Sequence, residues 1–190
     1  MKAINDFIKN SIECQFSYEE YTLFKKLYEQ AVNRSNLSIE IKKINEIKDW
    51  YFTENSIKHY TNRFFSIKAI NVRINDKAWC QPIIDQSETG ILALLGAIRN
   101  DRLEFLVQFK PEPGNINQIQ ISPTIQATKS NIENVHKGSK VRFFEILNNF
   151  RNDDLILLDS KLSEQNSRFS SKKNRNIIKI IESNEIKSDE

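Results

Sequence analysis

The chain is poor in glycine, cysteine and histidine, and this scarcity excludes several kinds of functional site. Four glycines in 190 residues form neither a glycine-rich dinucleotide fingerprint nor a P-loop. The two cysteines, Cys14 and Cys80, make no disulfide framework, and no cysteine–histidine cluster has the spacing of zinc ligands. A Gly-x-Ser-x-Gly elbow is also absent. Any chemistry must therefore use acid–base groups and oriented amides.

The sequence also lacks a long apolar run and an excess of charge of one sign. No run approaches the length of a membrane span, and residues 1–10 are too polar for a secretory signal. The 28 Lys and Arg residues against 25 Asp and Glu residues are too balanced to indicate a nucleic-acid partner. Hydrophobic residues, at 39%, suffice for a core. We expect a soluble cytoplasmic protein of one domain with an appendage, without membrane or nucleic-acid partners.

Residues 1–49 have the apolar spacing of helices. Ser17 and Glu20 fit a capping box, and the apolar face that follows consists of Tyr21, Phe24, Leu27, Tyr28, Ala31 and Val32. Ser38 is a candidate cap for a second helix, whose apolar face would hold Ile41, Ile44, Ile47 and Trp50 or Tyr51. These helices either pack on the main domain or pair between subunits. Packing is favoured, because most apolar helical stripes belong to a core.

From Asn62 the apolar period changes to that of strands. Strands are predicted at 64–71, 78–84, 90–98 and 103–110, with a hairpin where Asn and Asp occupy residues 100 and 101. A short helix is predicted within 139–147, a buried strand at 154–158, and a further apolar run at 177–181. The predicted organisation is a helical segment at 1–49, a module at 50–181, and a polar tail at 182–190 that frays.

The stretch from Gln108 to Asn131 holds three of the four prolines and is the richest in candidate site residues. In it Gln118 and Gln120 alternate with Ile119 and Ile121, which predicts a strand with both amides on one face. Such a polar, uncharged face suits a sugar or a nucleotide base. The alternative is an ordinary sheet whose polar face meets solvent.

Glu112 lies between Pro111 and Pro113, and Gly114 would permit a turn that directs its carboxylate toward the following strand. A carboxylate on such a stiff segment is suited to act as a base or as an orienting acceptor. The alternative is a turn residue that faces water. His136 could transfer protons near neutral pH, or it is a solvated loop residue.

Basic residues cluster near the carboxyl end, at Arg168, Lys172, Lys173 and Arg175. Guanidinium and ammonium groups suit phosphate oxygens, and a helix would place Arg168, Lys172 and Arg175 on one side. The alternative is a solvated basic face. Trp79 and Phe169 could stack on a base, although core packing is the more common role of either residue.

Several longer motifs together resemble the nucleotide-diphosphate-hexose 2,3-dehydratase family. They are Glu112-Pro-Gly-Asn115, Ser122-Pro-Thr-Ile-Gln-Ala-Thr-Lys-Ser-Asn131, His136-x-Gly138, Phe64-Phe65, Trp79-Cys-Gln-Pro82, Ser163-Glu-Gln-Asn-Ser-Arg-Phe169 and Lys172-Lys-Asn-Arg175. The resemblance covers roughly residues 50–181. Because the motifs occur in the family's order, they are far more specific than one short pattern.

The resemblance implies an α+β, Nudix-like fold, in which a mixed β-sheet is flanked by helices, here with an N-terminal helical appendage. It implies loss of water across C2 and C3 of a dTDP-4-keto-6-deoxyhexose in deoxysugar biosynthesis, without a metal or an organic cofactor. The glutamate-rich box of hydrolytic Nudix proteins is absent from the sequence. Hydrolysis of the diphosphate is therefore not expected.

The chemistry implied by the resemblance assigns roles to particular residues. The available proton carriers are Glu112, His136 and Glu164, with Tyr60 as a further one. Substrate binding is expected from Trp79, Gln81, Gln108, Lys110, Asn115, Gln120, Thr124, Gln126, Thr128, Asn131, Arg168, Lys172, Asn174 and Arg175, and no residue is expected to bind metal.

The sequence departs from the family pattern in three ways. It holds one module where the family usually has two, Ile132 replaces an expected tyrosine, and Asn166 replaces an expected glycine. Three functions stay open: a dehydratase acting as a homodimer, a non-catalytic sugar-nucleotide-binding subunit, and an isomerase or epimerase that uses the same enolate.

Overall fold

The protein is described by a computed structural model that covers residues 4–132, 140–149 and 155–182. Over these residues it is a mixed α+β protein with two sheets and few helices. None of the described helices is both long and apolar enough to cross a membrane. The family-derived expectation of a mixed sheet with helices agrees with this architecture at the level of fold class.

The smaller sheet is an antiparallel meander of four strands. The strands are β1 (Trp50–Phe52), β2 (Ser56–His59), β3 (Ser66–Ile74) and β4 (Lys77–Asp85), paired in chain order. The two longer strands confirm that strands form near 64–71 and 78–84, but β3 begins at Ser66, so Phe64 and Phe65 lie before it. Asn75, in the tight turn between them, has a φ of 51°, a left-handed conformation that asparagine tolerates better than most residues.

The larger sheet has six strands and contains the described core. Its strands are β5 (Gly90–Arg99), β6 (Arg102–Pro111), β7 (Ile119–Pro123), β8 (Ile125–Thr128), β9 (Leu155–Ser163) and β10 (Lys173–Ile180). The order is β7-β6-β5-β10-β9, with β8 also on β5, and the β5–β10 pair is parallel. Ala93, Ile125, Leu147 and Ile177 form a buried cluster at the centre.

The hairpin between β5 and β6 was correctly predicted. Arg99 pairs with Arg102, and the two residues between them, Asn100 and Asp101, have φ values of 49° and 59°. Positive φ at both central positions defines the type I′ turn, whose twist matches that of the flanking strands. A local sequence signal was sufficient here because the turn needs only two residues that tolerate this conformation.

Thr124 marks the point at which the chain passes from β7, beside β6, to β8, beside β5. The Leu95 N–H donates to Thr124 Oγ1 over 3.0 Å, and the same hydroxyl donates to the Leu106 carbonyl. One side chain thereby satisfies two backbone groups that the change of strand partner would otherwise leave unpaired. Thr124 is buried, so it serves the fold at this position.

The first two helices, α1 (Ile4–Glu13) and α2 (Tyr18–Arg34), pack on the edge of the larger sheet. The predicted capping box is confirmed, since Ser17 accepts from the Glu20 N–H and Glu20 accepts from the Ser17 N–H. The α2 side chains Phe24 and Tyr28 contact the ring of Phe109, and the Tyr28 hydroxyl donates to the Ile119 carbonyl over 3.1 Å. The described residues therefore show α2 in contact with the main domain, which was the favoured alternative.

The predicted second helix from Ser38 is wrong. Its only helical residues are a 3₁₀ turn at Ile44–Glu46, and Trp50 and Tyr51 belong to β1. The spacing of its isoleucines was misleading because no described surface covers them: Ile41 is 97% exposed. Isoleucine also has a lower intrinsic helix propensity than leucine, so the pattern alone cannot sustain a helix.

In the carboxyl half, the sequence predicted a helix near residue 144 and the strand β9, but not the burial of that strand. Helix α4 (Phe144–Asn148) overlaps the stretch predicted to be helical, 139–147, and a short helix, α3 (Lys129–Ile132), precedes it. Strand β9 exists, but it was expected to be buried and is mostly exposed, because it lies at the edge of the sheet and pairs with β10. Lys179 on β10 is buried instead, and its ammonium donates to the Ile146 and Asn149 carbonyls at the end of α4.

The connection between β9 and β10 joins the two sheets. Ile84 on β4 forms a parallel bridge to Phe169, with Ile84 N donating to the Arg168 carbonyl and Ser170 N donating to the Ile84 carbonyl, each over 2.8 Å. Gln81 adds a side-chain bond to the Ser167 carbonyl over 2.9 Å. These contacts hold residues 164–172 beside the amino-terminal end of β5, where the polar side chains of the larger sheet converge.

Candidate functional site

A cleft of about 260 Å³ lies at the amino-terminal end of β5, between β8 on one side and β10 on the other. We call it the carboxylate cleft, because two glutamates, Glu112 and Glu164, enter it from separate segments. The residues that line it are Gln86, Gly90, Ile91, Leu92, Lys110, Glu112, Gln126, Ala127, Thr128, Asn131, Glu164, Phe169, Lys172 and Asn174.

Glu112 is held in the cleft by its backbone and by two side chains. Its N–H donates to the Gln118 carbonyl and its carbonyl accepts from the Asn115 N–H, each over 3.0 Å, which forms a tight turn after β6. The carboxylate oxygen Oε1 lies 2.9 Å from Lys110 Nζ and accepts from Gln126 Nε2 over 3.3 Å. Glu112 is therefore a half-buried carboxylate with one cationic and one neutral donor.

The turn itself differs from the predicted one. Gly114 has no positive φ and nothing lies within 4 Å of the position that a Cβ would occupy, so the turn does not require glycine there. The residue in the left-handed conformation is Gln118, with a φ of 64°. Since Gln118 precedes β7 and is not part of it, the predicted face carrying both Gln118 and Gln120 does not form, and Gln120 is exposed outside the cleft.

Gln126 is oriented by a neighbour on β7. The Ser122 hydroxyl donates to Gln126 Oε1, which leaves the amide nitrogen to donate to Glu112. Ser122 is buried, whereas Gln126 reaches the cleft. A buried hydroxyl therefore determines which end of the Gln126 amide faces the carboxylate.

Glu164 forms the second acidic group with a buried amide on β10. Asn174 Nδ2 donates to Glu164 Oε2 over 2.6 Å, and Asn174 Oδ1 accepts from the Gly90 N–H over 3.2 Å. A Cβ at Gly90 would lie 2.7 Å from Asn174 Oδ1, so glycine is what permits this approach. Gly90, at the start of β5, therefore orients the Asn174 amide, and that amide in turn orients the Glu164 carboxylate.

Lys172 places a buried ammonium close to Glu88 and Glu164. It is 5% exposed, and its Nζ donates to the main-chain carbonyl of Glu88. Burial lowers the pKa of Lys172, while Glu88 and Glu164 nearby raise it. The Glu88 carboxylate is held by the Ser130 N–H and by the Ser130 hydroxyl, the latter over 3.1 Å. An ammonium has three N–H groups, so Lys172 retains donors for a ligand.

The cleft therefore combines two carboxylates, an ammonium and oriented amides around a small polar space. This set can accept a proton, return one, and stabilise a developing oxyanion. Among the described residues, no group of three or more His, Cys, Asp or Glu side chains is positioned to hold a metal ion.

The structure brings part of the predicted site together. The predicted residues that line the cleft are Lys110, Glu112, Gln126, Thr128, Asn131, Glu164, Lys172 and Asn174. Others have structural contacts: Gln108 donates to the Pro123 carbonyl over 2.9 Å, and Asn115 donates to the Lys110 carbonyl over 3.0 Å. Trp79 and Gln81 lie on β4, where the Trp79 N–H donates to Gln81 Oε1 over 2.8 Å. His136 lies outside the described residues.

The predicted basic patch does not form one surface. From Lys173 the chain is a strand, so the helical spacing that would align Arg168, Lys172 and Arg175 does not apply. Lys172 is buried in the cleft, whereas Arg175 binds Asp159 on β9 through two hydrogen bonds of 2.8 and 2.6 Å. This pairing lowers the pKa of Asp159. Arg168 is exposed, its carbonyl accepts from the Ile84 N–H of β4, and it does not line the carboxylate cleft.

Sequence reasoning missed Gln86, Glu88 and Gly90. Gln86 and Glu88 lie in the connection from β4 to β5. Gln86 lines the cleft, and the carbonyl of Glu88 accepts from Lys172, which is distant in sequence. One signal was available for Gly90: it is the first residue of a nearly continuous apolar strand, and a glycine inside a strand often marks a close backbone approach.

Residues 22–190 match the family model for NDP-hexose 2,3-dehydratase. The chain belongs to the NDP-hexose 2,3-dehydratase family. It is 41% identical over 140 residues, 71% of its length, to the dTDP-4-dehydro-6-deoxy-alpha-D-glucopyranose 2,3-dehydratase of Streptomyces violaceoruber. A protein of the same name from Amycolatopsis orientalis is 36% identical over 143 residues, 70% of this chain.

The match spans only part of each relative. It covers 32% of the Streptomyces violaceoruber protein and 30% of the Amycolatopsis orientalis protein, so this member of the family corresponds to about a third of their length. A third relative with the same name, from Saccharopolyspora spinosa, is 40% identical over 138 residues, 28% of its length.

Proposed function

We propose that the protein eliminates water across C2 and C3 of a dTDP-4-keto-6-deoxyhexose, as a carbon–oxygen lyase of deoxysugar biosynthesis, with the hexose in the carboxylate cleft. The observation that carries the proposal is the pair of carboxylates, Glu112 and Glu164, on either side of β5, each with a directed amide partner. The substrate class is supported by the relatives, which are dTDP-4-dehydro-6-deoxy-alpha-D-glucopyranose 2,3-dehydratases.

The proposed reaction begins with removal of the C3 proton, which the C4 ketone acidifies. Glu112 is the proposed base, because its carboxylate lies in the cleft and is oriented there by Lys110 and Gln126. The electron pair of the C3–H bond moves toward the C4 oxygen, which becomes an enolate. The enolate then returns to the C4 ketone, and the C2–C3 double bond forms as the C2–O bond breaks. The leaving hydroxyl takes a proton at this step and departs as water.

The other groups of the cleft support these charge changes. The Lys172 ammonium donates one N–H to the Glu88 carbonyl and has two further N–H groups. It is the proposed hydrogen-bond donor to the enolate oxygen. Glu164, fixed by Asn174, is the proposed carrier of the proton that the leaving hydroxyl takes. Thr128 and Asn131 line the same space and offer neutral contacts to sugar hydroxyls.

We further propose that two copies of the chain associate. One face of β6 and β7 carries Phe105, Val107 and Ile121, which are 42%, 38% and 54% exposed, beside the Phe109 ring that α2 contacts. An apolar stripe of this kind favours a symmetric partner.

A Nudix-like arrangement is supported by the mixed sheet with its parallel β5–β10 pair, and a module boundary near residue 50 by the start of β1. The cytoplasmic location is supported by the charged composition, with 28% charged residues.

A second candidate function is binding of the sugar nucleotide without turnover, as a subunit for another module. Incubation of the purified chain with dTDP-4-keto-6-deoxyglucose separates the possibilities. Loss of one water mass indicates the dehydratase, exchange of the C3 proton without loss of water indicates an isomerase, and binding alone indicates a subunit.

A further inference from the structure

A second cleft, of about 590 Å³, lies beside the carboxylate cleft, between the smaller sheet and the start of β5. We call it the basic cleft. Three cations line it, Lys58, Arg63 and Lys68, together with two carboxylates, Asp85 and Glu88. The rings of His59, Phe64 and Phe65 and the polar side chains of Asn62, Ser66, Gln86, Ser87 and Ser130 complete its walls.

Both carboxylates of the basic cleft already have partners. Asp85 is paired with the Lys68 ammonium, and Glu88 is bonded by the N–H and the hydroxyl of Ser130. Neither Lys58 nor Arg63 has a carboxylate within ion-pair distance among the described residues. The cleft therefore keeps two positive charges that no described acidic side chain neutralises, which suits a ligand with negative charge.

The turn that presents Arg63 is held by local hydrogen bonds. Asn62 N–H donates to the His59 carbonyl over 3.0 Å, and Asn62 has a φ of 52°. Arg63 N–H donates to the Thr61 hydroxyl and Thr61 N–H donates to His59 Nδ1, each over 3.3 Å. These hydrogen bonds fix the backbone of Arg63.

The two clefts share a wall. Gln86 lines both of them, and Glu88, which lines the basic cleft, accepts the Lys172 ammonium of the carboxylate cleft on its main-chain carbonyl. A ligand with a neutral polar end and an anionic middle can therefore occupy both spaces at once. A nucleotide sugar has this order of groups: hexose, pyrophosphate, nucleoside.

We infer that the basic cleft binds the pyrophosphate of the sugar nucleotide through Arg63 and Lys58, an inference that rests on the proposed function. The sequence pattern predicted phosphate binding at the basic residues near the carboxyl end. The inferred site instead lies at the end of β2 and in the turn between β2 and β3. Phe64, which is 47% exposed at the same cleft, provides an apolar surface for the nucleoside beyond the pyrophosphate.

The test is calorimetric titration of dTDP into the full chain. Arg63→Ala and Lys58→Ala should each weaken dTDP binding by about tenfold to 100-fold, the loss expected for a charge-assisted contact to phosphate. Arg73→Ala is the matched control, because Arg73 is an exposed arginine on β3 that does not line the basic cleft. Circular dichroism of each variant establishes that it is folded.

Two further ligands show which part of dTDP the cleft recognises. Inorganic pyrophosphate should compete with dTDP for the wild-type chain, whereas thymidine should bind equally to the wild-type chain and to Arg63→Ala. Unchanged dTDP affinity in both Arg63→Ala and Lys58→Ala would overturn the inference. So would loss of affinity in Arg168→Ala alone, because it would return the phosphate site to the carboxyl-terminal residues.

Failure of this inference is distinguishable from failure of the proposed function. If dTDP binding depends on Arg63 but the wild-type chain releases no water from dTDP-4-keto-6-deoxyglucose, the pyrophosphate site stands and the dehydratase proposal fails. If the wild-type chain releases water and Arg63→Ala leaves KM unchanged, the dehydratase proposal stands and the pyrophosphate site is overturned.

Discussion

At the scale of single residues, Glu112 meets a cation and an amide at the same oxygen. Lys110 Nζ lies 2.9 Å from it and Gln126 Nε2 lies 3.3 Å from it. Glu112→Gln keeps the shape but removes the proton acceptor, so turnover should fall about 10²–10⁴-fold while sugar-nucleotide binding persists. Steady-state kinetics with parallel calorimetry checks this. A parallel loss of affinity would make Glu112 an orienting residue, and no change in either would leave it a turn residue.

Gly90 acts on the reaction through Asn174. In Gly90→Ala the new Cβ would lie 2.7 Å from Asn174 Oδ1, so the amide must move and its bond to Glu164 weakens. We expect turnover to fall about tenfold, the equivalent of one weakened hydrogen bond, with dTDP affinity unchanged. Gly114→Ala is the control, since nothing lies within 4 Å of its Cβ position. Equal turnover in the two variants would remove Asn174 from the positioning of Glu164.

The lowered pKa of Lys172 predicts how turnover should depend on pH on the alkaline side. Burial lowers its pKa, so the ammonium loses its proton at a lower pH than an ordinary lysine does. If the charged form stabilises the enolate, turnover should decline as pH rises through that lowered pKa. A pH–rate profile of Lys172→Gln should show low turnover without this decline. An alkaline decline of the same shape in the variant would assign it to another group.

Lys172 also affects stability. Because the unfolded chain, with its ordinary lysine pKa, holds the proton more tightly than the folded chain does, stability contributed by this group rises with pH between the two values. Chemical denaturation measured across that range should show the rise in the wild-type chain and not in Lys172→Gln.

At the scale of elements, the extended conformation of β10 decides the role of Arg175. Its guanidinium is bonded to Asp159 on β9 and is not directed to the cleft with Lys172. Arg175→Ala should therefore leave dTDP binding unchanged and cost at most about 1 kcal/mol of folding stability, as partly exposed ion pairs do. The cost should vanish as pH falls through the lowered pKa of Asp159. Weakened dTDP binding would contradict this assignment.

Elements defined by short-range signals were predictable from the sequence. The Asn100–Asp101 turn and the Ser17–Glu20 capping box each depend on a few adjacent residues, and both form. The helix expected from Ser38 failed because an apolar period indicates a helix only where another surface covers it. The prediction that Gln118 and Gln120 share one face of a strand was wrong. Gln118 has a left-handed backbone conformation and lies before β7, so only Gln120 belongs to the strand.

The site was predictable only where its residues share one segment. Glu112, Gln126 and Thr128 lie in the proline-rich stretch, and their proximity follows from a turn and a strand. The contact of Lys172 with Glu88, in contrast, joins residues 84 positions apart through sheet packing. No local pattern in the sequence encodes that distance, so Glu88 and Gln86 were missed, and Lys172 was assigned to a surface patch when it is buried.

At the scale of the whole molecule, the proposed dimer depends on the uncovered face of β6 and β7. Phe105→Ser and Ile121→Ser should each convert a dimer to a monomer at micromolar concentration, because they remove apolar surface from the proposed contact. Ile74→Ser is a control on the smaller sheet, where a similarly exposed isoleucine lies. Light scattering gives the mass directly. A wild-type monomer would contradict the proposal, and a dimer in all variants would place the contact elsewhere.

The central claim is that one cleft, with a carboxylate from each side of β5, carries out the elimination. The most direct measurement is incubation of the wild-type chain, Glu112→Gln and Glu164→Gln with dTDP-4-keto-6-deoxyglucose in D₂O, followed by mass spectrometry and proton NMR of C3. We predict loss of water with the wild-type chain and strongly reduced loss with both variants, all three binding the substrate. Binding by the wild-type chain with neither loss of water nor deuterium exchange at C3 would contradict the claim and indicate a non-catalytic subunit.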